Sequence, residues 1–480
     1  MKHDIFQDPL VGRYTDSEMQ KIFSDDFKFT TWRKCWIALA EAQKELGLPQ
    51  ITQDMIDELI SAKDTIDYEV AKEKEKEIRH DVMAHVYEFG THCPKAKGII
   101  HLGATSQFVG CNTDLIQMRE ALVIIKKGLV NTISNLANFA EEHKARTTLG
   151  YTHYQPAQPT TVGKRATLHL FDLLLDLKQI ETLESDIKAR GAKGTVGTQA
   201  SYMELFEDNI EKVKELDKIV SRKLGFNESF PVTGQTYTRK FDTIVAKTLA
   251  GIAESAHKFA VDLRLLSNLK VMEEPFAKSQ TGSSAMAYKR NPMRSERMTA
   301  LSRKLINLQI DLAHTHANQW FERTLDDSAL RRIDIPHIFL LANAILKLYQ
   351  NITDGMVVYT AQIQRHLREE LPFMTTEAIL MDLAKKGHDR QEMHEIIKTH
   401  SVAAAKVVKE EGKSNDLFRR LAEDKNISLT EDYLNDLLKN PKRFTGAAES
   451  QVEDFLDEVI KPILTKYSKL INDEKITINV

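Results

Sequence analysis

Cysteine is scarce in this sequence of 480 residues, which contains only Cys35, Cys93 and Cys111. They form no CxxC pair, and an odd number of cysteines is a poor disulfide framework. The sequence therefore predicts a protein of a reducing compartment, in which disulfides are rare.

Long apolar runs are also missing. The longest apolar stretches, such as residues 338–346, are far shorter than the roughly 20 residues that a membrane-spanning helix needs. The N-terminal segment MKHDIFQDPL is charged from the start and lacks the apolar core of a signal peptide. We therefore expect a cytoplasmic protein.

Neither sign of charge dominates the chain. The formal net charge is −3, so no overall basic field would attract nucleic acid or an anionic membrane. We expect neither as a partner. An anionic ligand would have to be bound by local arginine and lysine side chains.

Glycine and proline are infrequent, with 20 and 12 residues, and this scarcity favours long uninterrupted helices. The clearest helical pattern runs from Asn112 to His143, where apolar residues recur every three or four positions and Asn112 and Thr113 are the expected caps. Similar patterns cover residues 170–187, 241–269, 293–315 and 338–364. Five long helices predict an elongated bundle.

We predict an all-α fold with three helical domains. The N-terminal domain covers residues 1–105, the long central bundle residues 106–364, and the C-terminal domain residues 365–480. Alternating strand patterns are scarce, and KITINV at 475–480 is the best short candidate. Segments such as LHLFDLLLDL, from Leu168, are apolar on more than one face, which predicts a homo-oligomer whose bundles pack together.

The segment most informative about chemistry is QTGSSAMAYKRNPMRSE at 280–296. Gly282, Ser283 and Ser284 permit a turn whose backbone N–H groups can converge on an anion. Lys289 and Asn291 add a positive charge and an amide donor. By composition alone, an ordinary polar loop between helices is the more frequent reading.

The motif GSSxMxxKxNP in this segment resembles the loop signature of the fumarase/aspartase superfamily. GYTHYQPAQPTT at 150–161 resembles its histidine-bearing segment, and GATSQFVGCNTD at 103–114 resembles its first substrate-binding region. Further segments resemble the members, particularly of animals, that act on purine nucleotides: RHDVMAH at 79–85, KGTVGTQAS at 193–201, TGQTY at 233–237 and ERTLDDS at 322–328. One departure is Ala287, where the loop signature usually has proline.

This resemblance implies a fumarase/aspartase-like helical fold and a β-elimination that releases fumarate. The implied substrates are adenylosuccinate and the succinylated aminoimidazole carboxamide ribonucleotide of purine biosynthesis. The resemblance assigns Ser283 as general base and His153 as general acid, with Glu296 orienting that histidine. Lys289 would bind the carboxylate that takes up negative charge, and His80 would help to protonate or position the leaving group.

Substrate binding is assigned, by the same resemblance, to a larger group of mostly polar residues: Arg13, Tyr14, Arg79, Asp81, Thr105, Ser106, Thr152, Gln235, Ser284, Asn291, Arg297, Arg323, Leu325, Ser328 and Arg332. Arginines together with hydroxyls suit a 5′-phosphate. Taken singly, any of these arginines could form a surface ion pair, and Arg331 and Arg332 could cap a helix. The resemblance also implies a homotetramer whose active sites are shared between subunits.

Metal binding is the main alternative for the histidines. His80 and His85 are five positions apart, and His314 and His316 are two apart. Neither spacing places two ligands on one helical face, so we expect no metal. The sequence also contains no phosphate loop and no dinucleotide-binding fingerprint, and we expect no cofactor. Two other functions remain open: another fumarate-releasing lyase, such as one acting on argininosuccinate or malate, and a catalytically silent structural protein.

Overall fold

The computed structural model describes residues 4–277, 280–472, 475–476 and 478. The helices are α1 Ser17–Ile22, α2 Asp25–Glu45, α3 Gln53–Ala62, α4 Tyr68–Ile78, α5 Asp81–His92, α6 Ser106–Glu142, α7 Val162–Asp186, α8 Ala200–Leu205, α9 Ile210–Lys223, α10 Lys240–Asn268, α11 Met293–Ala317, α12 Asp326–Thr353, α13 Thr360–Met374, α14 Thr376–Lys385, α15 Arg390–Glu411, α16 Leu417–Glu423, α17 Glu431–Lys439, α18 Ala448–Phe455 and α19 Lys461–Lys466. The strands are β1 Thr147–Thr152, β2 Gln155–Thr161, β3 Met272–Glu273 and β4 Val357–Val358.

The predicted all-α class is confirmed, because the strands of the described residues form two short antiparallel pairs, β1 with β2 and β3 with β4. The strand expected over 475–480 falls partly on residues that lie outside the described part of the chain. None of the described helices combines the length and the apolarity needed to cross a membrane.

Five long helices, α6, α7, α10, α11 and α12, form the central bundle, as their apolar periodicity predicted. The stripe that includes Leu115, Leu122, Leu129 and Leu136 on α6 is fully buried. With 37 residues, α6 is about 55 Å long at 1.5 Å per residue. It therefore extends along the whole bundle.

The start of α6 differs from the prediction. The helix begins at Ser106 with Thr105 as N-cap, so Asn112 and Thr113 are not caps but buried residues of the second turn. The Asn112 side chain donates to the Phe108 carbonyl at 2.8 Å, and its oxygen accepts from the Gly191 N–H at 3.0 Å. Asn112, which resembles a helix cap in the sequence, thus accepts a hydrogen bond from the backbone of a buried loop instead.

The pattern predicted over 338–364 was also wrong at both ends. Helix α12 begins twelve residues earlier, runs through Pro336 and ends at Thr353. The chain then forms β4, which pairs with β3, before α13 begins at Thr360. Tertiary packing keeps α12 helical through Pro336, and the pairing of β4 with β3 ends the helical pattern after Thr353. Local apolar periodicity reports neither effect.

The bundle helices alternate in direction, so the bundle has two distinct ends. Where α6 begins, Arg239 before α10 contacts Cys111 and also pairs with Asp327 at the start of α12. We call this the Ser106 end. At the opposite end, Arg146 after α6 donates to Thr360 after α12, and β1 and β2 form a hairpin. We call this the hairpin end.

The segments outside the bundle pack in two ways. Residues from Met19 to Ile100, including buried Trp32 and Trp36, belong to the same continuous core as the bundle. Helices α14 to α17 enclose a separate small core that includes Leu383 and Leu417. The three-domain division of the sequence stays a prediction.

Asp176 on α7 gives the bundle a testable pH dependence. The residue is 8% exposed, and one carboxylate oxygen has no hydrogen-bond partner among the described residues. Burial raises the pKa of Asp176 to about 7, although a hydrogen bond from Ser255 acts in the opposite direction. The unfolded chain releases this proton near pH 4, so the contribution of Asp176 to stability falls as the pH rises from about 4 to about 7.

We expect Asp176→Asn to remove this loss of stability. The free energy of unfolding of the variant, relative to the unmodified protein, should rise by on the order of 1–3 kcal/mol between pH 5 and pH 8. Urea denaturation at fixed pH values measures this difference. Glu254→Gln, at an exposed carboxylate nearby, is the matched control and should show no such trend. If the difference in unfolding free energy between Asp176→Asn and the unmodified protein did not change with pH, Asp176 would not have the raised pKa that burial implies.

Candidate functional site

His80 and Ser106 meet at the Ser106 end of the bundle. His80 is the N-cap of α5, where its Nδ1 accepts from the Met83 N–H at 3.4 Å, and its Nε2 lies 3.2 Å from the Ser106 hydroxyl. Arg79 ends α4 in the left-handed region, with φ of 56°. The chain therefore reverses sharply between α4 and α5, and the exposed His80 side chain reaches the start of α6.

Gln235 connects three chain segments at the same end. Its amide nitrogen donates to the Thr105 hydroxyl at 3.3 Å, and its amide oxygen accepts from the Arg323 guanidinium at 2.9 Å. Close by, Arg332 donates to Asp81 at 2.8 Å. The structure thus brings together residues that are more than 200 positions apart in the sequence.

A buried group of ion pairs centred on Asp327 packs against the residues around Gln235 and Arg323. Asp327 is 0% exposed and pairs with Arg239 at 2.6 Å, while its distance to Arg323 is 3.7 Å. Arg323 therefore shares the Asp327 carboxylate with Arg239, which lies closer to it. The other hydrogen bonds of the Arg323 guanidinium are to neutral amides, among them that of Gln235. A guanidinium that is only partly neutralised is well suited to an anionic ligand.

Arg331 has a different role from its neighbour Arg332. Its guanidinium is buried and pairs with Asp114 at 2.8 Å and Asp242 at 2.7 Å, and it donates to the Tyr237 hydroxyl at 2.7 Å. Arg331 is thus fully engaged inside the protein. Arg332 instead keeps 63% of its side chain exposed, and so only Arg332 can reach a ligand.

The predicted acid, His153, lies at the opposite end, at the tip of the β1–β2 hairpin. His153 and Tyr154 form the turn, with φ of 53° and 57°. Below the tip, Arg165 donates to the Leu149 carbonyl and anchors the strand to α7. His153 is exposed, and no hydrogen bond to it occurs among the described residues.

Ser283 lies in the loop between β3 and α11, also at the hairpin end. Its hydroxyl oxygen accepts from the backbone N–H groups of Ala285 and Met286, at 3.3 and 3.2 Å. Both contacts place backbone donors, and no acceptor, against this oxygen. In the same loop the Asn291 side chain donates to the Gly282 carbonyl at 2.8 Å, and the Lys289 side chain is exposed.

The base of this serine loop (residues 280–291) is anchored beside the hairpin. The buried Glu274 accepts from the backbone N–H groups of Arg294 and Ser295, at 3.0 and 2.8 Å. Arg290 reaches the Tyr359 hydroxyl, next to Thr360, to which the residue preceding the hairpin is bonded. The serine loop and the β1–β2 hairpin are therefore both bonded to the chain where α13 begins, at Tyr359 and Thr360.

The close approach of chain segments at Gly282 provides a prediction. A Cβ atom at Gly282 would lie 2.1 Å from the Lys289 carbonyl oxygen and 3.1 Å from the Phe276 ring. We expect Gly282→Ala to displace this part of the loop and to lower turnover by about 10²-fold, with little change in ligand affinity at the Ser106 end. Gly98→Ala, where a Cβ meets nothing within 4 Å, is the control. Equal effects of both changes on turnover would contradict this role.

The predicted site residues therefore divide between the two ends. The Ser106 end holds Arg79, His80, Asp81, Thr105, Ser106, Gln235, Arg323, Leu325, Ser328 and Arg332, and the hairpin end holds Thr152, His153, Ser283, Ser284, Lys289, Asn291, Glu296 and Arg297. Because α6 spans this separation, the two groups are on the order of 50 Å apart within one chain. A single chain cannot bring them into one site.

Three assigned residues lie apart from their expected partners. Arg13 and Tyr14 belong to a one-turn helix that packs beside α12, and no hydrogen bond joins them to the Ser106-end cluster among the described residues. Glu296 is 52% exposed and lies 4.0 Å from Arg264, without contact to His153. The pairing of Glu296 with His153 stays a prediction that requires a second copy of the chain.

Several supporting residues were missed by the sequence reasoning. Gln107, with its amide oxygen turned toward Arg323, accepts from that guanidinium at 3.1 and 3.2 Å. Asp327 lies within the ERTLDDS segment and Gln107 beside Ser106, so proximity to those motifs was the available signal. Within the described part of the chain, no three His, Cys, Asp or Glu side chains are grouped so as to hold a metal ion.

Two family models and several proteins of known name are similar to this chain. A family model described as "Lyase" matches residues 2–306, and one described as "Adenylosuccinate lyase C-terminus" matches residues 372–455. Adenylosuccinate lyase of Saccharomyces cerevisiae is 51% identical over 480 residues, covering 100% of this chain and 99% of the yeast protein. The Schizosaccharomyces pombe protein of the same name is 48% identical, covering 99% of each.

Solved structures support the fold. The 3-carboxy-cis,cis-muconate lactonizing enzyme from Pseudomonas putida superposes with a TM-score of 0.80 at 22% identity, covering 96% of this chain and 98% of that one. At this identity the similarity concerns the fold alone.

Proposed function

Because the chain belongs to the adenylosuccinate lyase family, we propose that it breaks the C–N bond of adenylosuccinate to release fumarate and AMP. The second proposed substrate is the succinylated aminoimidazole carboxamide ribonucleotide, which would lose fumarate in the same way. Both are steps of purine biosynthesis. A cytoplasmic location remains our prediction.

The reaction needs a base for a weakly acidic proton next to a carboxylate. We assign this base to Ser283, because its oxygen already faces the N–H groups of Ala285 and Met286. An ordinary serine hydroxyl is far too weak a base, so stabilisation of its alkoxide is the requirement that these two donors support. The exposed Lys289 would add positive charge near the carboxylate that becomes electron-rich.

The leaving nitrogen needs a proton as its bond breaks. We assign His153 as the donor of this proton, because the hairpin presents its side chain to solvent at an exposed tip. Imidazole can hold and release a proton near neutral pH. Glu296 would orient His153 from another subunit, and Asn291 would help Lys289 to bind the substrate carboxylate.

The observation that best supports a nucleotide substrate is the environment of Arg323. Its guanidinium contacts the neutral amide of Gln235 at 2.9 Å, and its distance to Asp327 is 3.7 Å. A nearby exposed cation, Arg332, and the hydroxyl of Ser328 complete a set suited to a 5′-phosphate. Argininosuccinate and malate carry no phosphate, so a lyase acting on them has no need of this set.

The proposed site requires several subunits. On α7, the apolar side chains of Leu168, Phe171 and Leu175 are 54%, 54% and 52% exposed, and Ile310 on α11 is 50% exposed. An apolar stripe of this kind on a bundle surface favours association with other copies. We propose a homotetramer in which the Ser106 end of one subunit meets the hairpin ends of two others, which together supply His153 and the serine loop.

The experiment that tests this function is turnover of adenylosuccinate by the purified protein, followed by ultraviolet absorbance. We expect AMP and fumarate in equal amounts, and the second nucleotide substrate should also be cleaved. Argininosuccinate and malate are the controls and should not react. Turnover of either control, without cleavage of adenylosuccinate, would favour the alternative lyase, and no turnover of any substrate by a folded tetramer would favour the silent structural protein.

A further inference from the structure

Arg190 is a buried cation directly below the Ser106-end cluster. It lies in the loop between α7 and α8, and its side chain is 0% exposed. Its guanidinium donates only to backbone carbonyls: to Gly191 at 3.2 Å, to Gly194 at 2.7 Å and to Gln235 at 2.8 and 3.2 Å. No ion pair to this guanidinium occurs among the described residues. Burial lowers the pKa of the Arg190 side chain, which nevertheless remains charged at neutral pH.

A buried charge without a carboxylate partner is costly, so its retention calls for an explanation. Anchoring of the loop alone does not provide one. Lys193 in the same loop already pairs with Asp217 at 2.7 Å and donates to Ser229 at 3.0 Å. Beyond its bonds to Gly191 and Gly194 in the same loop, Arg190 contacts a second chain segment at Gln235.

That contact leads directly to the proposed ligand-binding groups. The Gln235 carbonyl accepts two hydrogen bonds from Arg190, while its side chain donates to Thr105 and accepts from Arg323. Gln235 is thereby held at both its main chain and its side chain. A shift of its carbonyl would move the amide that orients Arg323.

The surrounding loops leave little freedom for compensation. A Cβ atom at Gly197 would lie 1.9 Å from the Thr233 carbonyl oxygen, and one at Gly234 would lie 2.5 Å from that of Glu322. The loops around positions 197, 234 and 322 therefore stack backbone against backbone, without side chains between them. The Gln235 N–H also donates to the Glu322 carbonyl at 3.1 Å, so a displacement of the Gln235 backbone would press on the segment that precedes Arg323.

We propose that Arg190 is a positioning residue for nucleotide recognition, which holds Gln235 in place and thereby orients Arg323, and that its unpaired charge raises the affinity of this end for an anion. The inference rests on the proposed function, because it takes Gln235 and Arg323 as nucleotide-binding residues. It assigns no contact between Arg190 and the substrate.

The test compares Arg190→Met, Arg190→Lys and Lys193→Met in the full-length protein, with AMP and fumarate as separate probes. We expect Arg190→Met to weaken AMP binding by about 10- to 100-fold, with a matching rise in KM and a change in kcat of less than about threefold. Fumarate, which lacks the nucleotide part, should inhibit as before. Arg190→Lys should recover part of the AMP affinity because it keeps the charge.

Lys193→Met separates this role from loop anchoring, because it removes the paired cation without touching Gln235. It should lower the melting temperature and leave AMP affinity within about twofold. Equal losses of AMP affinity in Lys193→Met and Arg190→Met would overturn the proposal, as would parallel losses for AMP and fumarate. Should Arg190→Met fail to fold, Arg190→Lys carries the test, because it keeps the charge but loses the paired bonds to the Gln235 carbonyl. Unchanged AMP affinity in that variant would overturn the positioning role.

A double-mutant cycle with Gln235→Ala tests the route of the effect. If Arg190 acts through the Gln235 side chain, Arg190→Met should weaken AMP binding much less in the Gln235→Ala background than in the unmodified protein. Additive losses would contradict that route. Failure of the proposed function would be distinct, since the unmodified protein would then neither bind AMP nor cleave adenylosuccinate.

Discussion

Replacing Ser283 by alanine should reduce turnover of adenylosuccinate by about 10²- to 10⁴-fold, the range expected for loss of a general base. The change removes the hydroxyl that accepts from the N–H groups of Ala285 and Met286. AMP binding should stay within about twofold, because Ser283 is assigned to the succinyl part of the substrate, which AMP lacks. Steady-state absorbance assays give kcat, and calorimetric titration gives AMP affinity.

Ser284→Ala is the matched control for this prediction. Ser284 is adjacent and exposed, and its hydroxyl makes no hydrogen bond among the described residues. Its expected role is substrate binding, so the variant should lose at least tenfold less kcat than Ser283→Ala. A larger loss at Ser284 would transfer the base to that residue. Undiminished turnover in Ser283→Ala would remove Ser283 from its role.

Separate glutamine substitutions of the two histidines should have different kinetic effects. We expect His153→Gln to lower kcat by roughly 10²-fold or more, since glutamine cannot deliver a proton to the leaving nitrogen. His80→Gln should mainly raise KM and weaken AMP binding, because His80 lies beside Ser106 in the proposed nucleotide cluster. Initial rates over a range of substrate concentrations separate the two parameters.

Both histidines are exposed, so neither substitution should change the melting temperature by more than a few degrees. This makes them controls for one another, since loss of activity cannot then be attributed to unfolding. If His80→Gln lost far more turnover than His153→Gln, with AMP affinity intact, the assignment of His153 as the acid would be wrong. Both histidines would contribute to catalysis if the two kcat losses were similar.

The long bundle helices were predictable because apolar periodicity reports directly on burial. The stripe of α6 from Leu115 to Phe139 is buried throughout, as the three- and four-residue steps indicated. The helix ends were less predictable, since they depend on distant contacts. Asn112 satisfies Gly191 across the fold, and α12 persists through Pro336, and neither contact leaves a local trace in the sequence.

Prediction of the candidate site met a similar limit. Motif resemblance proposed Ser283, His153 and Arg323 as site residues, because their expected chemistry requires particular side chains in recognisable segments. It did not identify Arg190 or Asp327, whose contacts are set by the packing of loops far apart in the sequence. The hairpin that carries His153 was also unforeseen, since its second strand contains Pro156 and Pro159, which weaken a strand pattern.

Subunit mixing tests whether each active site is assembled from opposite ends of different chains. One variant, Arg323→Gln, is altered only at the Ser106 end, and the other, Ser283→Ala, only at the hairpin end. Each is expected to be nearly inactive at substrate concentrations well below the KM of the unmodified protein. Hybrid tetramers can be formed by co-expression with two affinity tags and isolated by sequential purification on both tags.

If sites are shared between subunits, the hybrids should recover about a quarter of the unmodified activity, because some sites combine an intact Ser106 end with an intact serine loop. Hybrids of Ser283→Ala with Lys289→Met, both altered in the same loop, are the control and should stay inactive. Inactive hybrids of Arg323→Gln with Ser283→Ala, purified on both tags, would contradict a site assembled from opposite ends of different chains.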